Sequence, residues 1–114
     1  MPRRTNIPAI VKNFGVHLGI QADSWTAAGN ITLTIADANI QKIDPDGARD
    51  LTLPAESNES AWFLIINAAG GAETITVKNA AGSTLDTVDQ NEAGLFCNIA
   101  GVWTFMCVWT IALT

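Results

Sequence analysis

Asn67-Ala68-Ala69-Gly70 returns twelve positions later as Asn79-Ala80-Ala81-Gly82, and each copy precedes a run of strand character. Glu73-Thr74-Ile75-Thr76-Val77 follows the first, and Ser83-Thr84-Leu85-Asp86-Thr87-Val88 follows the second. Small Asn/Gly turns between alternating segments of strand length are the signature of consecutive β-hairpins. The pair therefore predicts a chain of short strands joined by tight turns, with Gly70-Gly71 in a hairpin turn.

Upstream, Ala61 to Asn67 is apolar at every position but the last, which predicts a central strand or one covered by a partner. Arg49 to Leu53 predicts a strand with Leu51 and Leu53 inward, ended by Pro54, and Ala55 to Ser60 a polar loop. Asp44-Pro45-Asp46-Gly47 is a turn, because Pro fixes φ at its second position and Asp and Gly accept the tight geometry after it. Ile40 to Asp44 reads as a short strand. In Asn30 to Ile35, Ile31, Leu33 and Ile35 alternate with threonines, the pattern of a half-buried strand.

Downstream, Asp89 to Gly94 reads as an acidic loop, and Leu95 to Ile99 with Val102 to Ile111 as a terminal hairpin. If Ala100-Gly101 is its two-residue turn, one face carries Leu95, Cys97, Ile99, Val102, Met106 and Val108. The other then carries Phe96, Trp103, Phe105, Cys107 and Trp109. Neither face is polar, so one is expected in the core and the other, with Phe96, Trp103, Phe105 and Trp109, against another chain. The same register places Cys97 and Cys107 on opposite faces, so they are expected to be small buried hydrophobes in a reducing compartment, with no bond between them. About eight short strands without a convincing helix predict an all-β protein, an antiparallel β-sandwich or barrel of the jelly-roll or tulip-like kind. Its body spans residues 27–114.

Residues 1–26 differ from that body. Ile7, Ile10, Val11, Phe14 and Leu18 are apolar, but Pro8, Gly15 and Gly19 weaken a helix, and an extended N-terminal arm fits better. Charge divides at the same place. Met1 to Ala22 carries Arg3, Arg4 and Lys12 and no acid, whereas Lys42, Arg49 and Lys78 face all eleven acids in the rest. Met1 to Ala22 is thus +3 and the rest of the chain −8, which suits a basic arm docking on something else and disfavours nucleic-acid binding by the body. With 48% hydrophobic and only 15% charged residues, a chain of this size is expected to have part of its surface covered in a permanent assembly. No apolar run approaches the length of about eighteen residues that spans a membrane, and no secretory h-region is seen.

Residues that could carry chemistry are sparse. His17 is the single histidine, without partners at metal-ligand or triad spacing. No nucleophile elbow or phosphate-binding glycine loop occurs. Asp44 with Asp46, and Asp86, Asp89 and Glu92, sit in loops without calcium-loop spacing. No catalytic residue, metal or cofactor is expected. Trp62, Trp103 and Trp109 lie within predicted strands, where packing explains them better than a carbohydrate platform, and Trp25 at the arm–body junction is a candidate interface anchor.

The stretches GNITLTIADANIQKIDPDGARDLTLP (Gly29 to Pro54), FLIINAAGGAETITVKNAAGSTL (Phe63 to Leu85) and GLFCNIAGVWTF (Gly94 to Phe105) resemble a β-rich module of tailed-bacteriophage virion proteins. That module occurs in capsid decoration (cement) proteins and in head- or tail-fibre proteins. The resemblance covers residues 29 to 109 and leaves the arm outside. It implies a small non-enzymatic protein, commonly a homotrimer, on the outer surface of the capsid after synthesis in the host cytoplasm. The major capsid protein would be its partner, met by Arg3, Arg4, Ile7, Ile10, Val11, Phe14 and Trp25. The alternative it leaves open is a receptor- or glycan-binding fibre module.

Overall fold

The computed structural model describes residues 25–27 and 29–112, and every regular element among them is a strand. These are β1 (Trp25–Ala27), β2 (Ile31–Thr32), β3 (Ile40–Pro45), β4 (Arg49–Thr52), β5 (Trp62–Asn67), β6 (Ile75–Lys78), β7 (Thr84–Val88), β8 (Glu92–Ile99) and β9 (Val102–Thr110). They form a five-stranded sheet in the order β1-β3-β5-β8-β9 and a four-stranded sheet in the order β2-β4-β6-β7. The core lies between them. Ile31, Leu51, Ile75, Val77 and Val88 of the smaller sheet meet Ile43, Phe63, Ile65, Phe96 and Trp103 of the larger.

The all-β expectation holds, but the sheets are mixed rather than antiparallel. From β1 to β6 the chain alternates between sheets, so it re-enters each one running in the same direction. β1 and β5 flank β3 in parallel, and β2 and β6 flank β4 likewise. Trp25 lies beside Ile43 and Ile40 beside Leu64, so one full winding takes 18 residues and the next 24. Antiparallel pairing begins only at the β6–β7 hairpin and continues through β5–β8 and β8–β9. The result is a short flattened spiral closed by an antiparallel end.

This winding separates the two Asn-Ala-Ala-Gly copies. Residues 79–83 close a true hairpin: Asn79 accepts from the Gly82 N–H, its own N–H donates to Ser83, and Gly82 has φ of 93°. Residues 67–70 instead begin a crossing from β5 in one sheet to β6 in the other, so the expected hairpin at Gly70-Gly71 does not form. The cause is length. Five residues fit a hairpin loop, whereas residues 68–74 can bridge the gap of roughly 10 Å between packed sheets. Asn67 anchors that crossing. It is fully buried, donates to the carbonyls of Glu73 (2.8 Å) and Val88 (2.9 Å), and accepts from the Ala69 N–H (2.9 Å).

Other boundaries shift for similar reasons. Asp44-Pro45-Asp46-Gly47 is also a crossing between sheets, with Pro45 the buried last residue of β3. The predicted strand to Ile35 stops early, because Asp37 accepts from the Thr34 N–H (2.7 Å) and hydroxyl and turns the chain. Ile35 is thereby left exposed. Trp25 and Thr26, placed by sequence in the arm, pair with Ile43 and Asp44 and belong to the body. β5 is central, as its apolar sequence predicts. Opposite Ile65, Gly94 leaves room for hydrogen alone: a Cβ there would come within 2.9 Å of Val88 Cγ2.

Candidate functional site

The outer faces of the two sheets differ in chemistry. Alternation along the smaller sheet turns Thr32, Asp50, Thr52, Thr76, Lys78 and Thr87 outward, with Lys78 Nζ 2.9 Å from Asp50. That face is suited to water. Alternation along β5 sends Phe63, Ile65 and Asn67 inward and Trp62, Leu64 and Ile66 outward. Register carries this outward row across the larger sheet to Ile40 on one side and to Leu95, Cys97 and Ile99 on the other. From β8 it continues to Val102, Cys107 and Trp109 on β9, with the polar Thr104 among them opposite Cys97. Charge enters this face at Lys42 and Asp44 on β3.

The terminal hairpin forms with the expected Ala100-Gly101 turn. Both residues have positive φ, 53° and 87°, the geometry of a two-residue turn that matches strand twist. Cys97 lies opposite Thr104 as predicted, but a bulge follows: Phe105 faces Phe96 while Cys107 faces Leu95, leaving Met106 unpaired. One inserted residue reverses every side chain beyond it. Val108 therefore points to the core side, opposite Gly94, and Cys107 and Trp109 point outward.

This corrects the predicted oligomer contact. Phe96 is fully buried and stacks at 5.6 Å on Phe105, which packs against the same core. Trp103 is 3% exposed, lies 6.1 Å from Phe63, and donates its indole N–H to the Pro54 carbonyl at 2.8 Å. Phe96 and Trp103 fill the chain's own interior and cannot face another, and Phe105 is half-buried against them on the same side. Trp109, 41% exposed, remains available. Of the predicted capsid-binding residues, Arg3, Arg4, Ile7, Ile10, Val11 and Phe14 lie outside the described residues, and so does His17. Trp25 opens β1, at the edge of the larger sheet.

The bulge also brings both thiols to one face, against the expectation of opposite faces. Cys97 is half-buried and Cys107 exposed, and both are free. Burial first, and the nearby Cys107 second, push the Cys97 thiol above its ordinary value. Replacement of Cys107 by Ser is accordingly expected to lower the pH at which Cys97 is alkylated, while leaving it above that of an unburied thiol. Iodoacetamide rates followed by mass spectrometry against pH check this, and an identical profile in both proteins would contradict the proximity.

Elsewhere, a groove of about 390 Å³ runs along the end of the smaller sheet, lined by Thr32, Leu33, Ile35, Leu53, Pro54 and Ala80 among others. No acid, base or thiol lines it. Among the described residues, no group of three His, Cys, Asp or Glu side chains is placed to hold a metal ion, and no helix is long and apolar enough to cross a membrane. The sequence reading missed the buried amides. Besides Asn67, Asn98 donates to the Glu56 carbonyl (3.0 Å) and accepts from Gly101 (2.9 Å), and Asn39 donates to the Trp62 carbonyl (2.6 Å). The one available signal was an Asn ending or interrupting an apolar run. Comparison with family models, with curated proteins and with solved structures returns no match.

Proposed function

We propose that this chain is a virion structural protein, a decoration (cement) protein that binds the outside of a phage head at capsomer junctions and stiffens the shell. One observation carries the reading: a two-sheet scaffold with one polar, threonine-rich outer face and one apolar outer face. A body of this kind is built to stand with one side in water and the other against protein. The resemblance of residues 29 to 109 to phage virion modules supplies the class. The protein acts without chemistry, cofactor or nucleic acid, as a homo-oligomer on the capsid exterior.

The mechanism is mechanical. Packaged genome presses outward on the junctions between capsomers, and a clamp resists by burying apolar area across them. At ~25 cal/mol per Å² of apolar burial, modest contacts repeated over a shell add up to substantial resistance. The arm supplies the capsid contact, with Ile7, Ile10, Val11 and Phe14 docking on the major capsid protein and Arg3 and Arg4 meeting acidic groups. Trp25 marks where the arm joins the sheet.

Mixing the purified protein with undecorated capsids and imaging the product tests the reading. Deleting residues 1–20, which lie before β1, is expected to abolish capsid binding and leave a folded oligomer. Truncated protein that still decorates capsids would refute the arm assignment. A receptor- or glycan-binding fibre module is the second reading, favoured by the exposed indole of Trp109; it predicts sugar binding and no affinity for empty capsids.

A further inference from the structure

We infer that the apolar outer face of the five-stranded sheet, centred on Leu64 and Leu95, is covered by the same face of a second copy of this chain. The inference rests on the reading above only in taking the apolar face to be a protein contact. Three observations select a second copy as the occupant.

The first is charge. The chain carries −5 overall, so copies meeting through most of their surface would repel. Of the outward positions on β3, β5, β8 and β9, only Lys42 and Asp44 are charged, and they cancel. Two acidic copies can therefore meet on this face without a net penalty, and unlike the equally neutral outer face of the smaller sheet it is apolar.

The second is extent. Four strands at about 4.8 Å spacing, with some seven residues each, give a projected area on the order of 400 Å². That is a continuous patch of the size that marks a functional contact, about 300–600 Å², and the core of the roughly 800 Å² per partner that a standard interface buries. The third is continuity. Leu64 pairs directly with Leu95, Trp62 with Cys97 and Ile66 with Ala93, so the apolar row is unbroken from β5 to β8. It ends at Trp109 and Val102, 62% exposed, on the edge strand β9.

Cys107 provides a reporter, since it is exposed in the single chain and lies on this face. In the full-length protein, sedimentation should give an oligomer in which Cys107 resists maleimide. The double variant Leu64→Lys with Leu95→Glu places opposite charges across one cross-strand pair, so the single chain keeps its fold by circular dichroism. Burying that pair between copies is unfavourable, so self-association should weaken by on the order of 100-fold or more, with Cys107 now labelled at the rate of a free thiol. Trp109→Ala should weaken association in the same direction.

A wild-type protein that sediments as a monomer at every concentration overturns the inference, as does a double variant that stays folded and fully associated. A monomer whose Cys107 is nevertheless protected, and becomes reactive on deletion of residues 1–20, identifies the arm as the cover and likewise overturns it. These measurements need no capsid. Self-association without capsid binding would refute the decoration reading alone, and capsid binding by a monomer would refute the present inference alone.

Discussion

Asn67→Ala is expected to cost the fold about 3–6 kcal/mol, while Asn79→Ala, at the same place in the second Asn-Ala-Ala-Gly copy, costs about 1 kcal/mol or less. Asn67 is fully buried and its amide satisfies two carbonyls and one N–H, at Glu73, Val88 and Ala69. Alanine would leave these backbone groups without their partner, at roughly 1–3 kcal/mol for each one that water cannot reach. The three groups belong to the crossing between sheets and to the end of β7, so their loss loosens both sheets at once. Against a usual net stability of about 5–15 kcal/mol, that is enough to leave much of the protein unfolded. Asn79 accepts from the Ser83 N–H at 2.9 Å in an exposed turn, where water can take over the bond. Urea denaturation followed by tryptophan fluorescence measures both variants, and equal costs would contradict the division of labour between the copies.

The contrast between these copies marks how much of the fold the sequence disclosed. Strand positions are set by local alternation, which is why Leu51 and Leu53 point inward and why β5 is central, as their patterns predict. Which sheet a strand joins is a different question. It depends on whether a connection is short enough to fold back or long enough to cross, and identical tetrapeptides gave no hint. The four residues between Gly70 and Ile75, against one between Gly82 and Thr84, held the information.

Which residues share the outer face was legible up to the bulge at Met106 and wrong beyond it, and the roles of the two faces were inverted: the face expected against another chain is the buried one. Leu95, Cys97, Ile99 and Val102 share a face as the simple register predicts. A bulge is a tertiary accommodation: Phe105 must stay beside Phe96 in the core, and the extra residue lets Cys107 and Trp109 turn outward. Period-two counting contains no term for it. The aromatic residues that sequence assigned to a partner are therefore the ones the chain keeps for itself.

Trp103 puts that reassignment to a test with a second large effect. Its ring is buried between the sheets against Phe63, and its N–H is committed to the Pro54 carbonyl. Trp103→Ala is expected to cost about 3–5 kcal/mol, from lost burial and the cavity left behind. Trp103→Phe retains a ring beside Phe63 but leaves the Pro54 carbonyl unpaired, and should cost about 1–3 kcal/mol. Trp109→Ala, on the outer face, should change the stability of the single chain by no more than about 0.5 kcal/mol. A Trp103 that served an interface would behave the other way, leaving an intact but dissociated chain. Denaturation of Trp103→Ala and Trp109→Ala in the Leu64→Lys/Leu95→Glu background removes association from the comparison. There the two indoles separate cleanly, because Trp103 holds the two sheets together and Trp109 lies on the outer face of one of them.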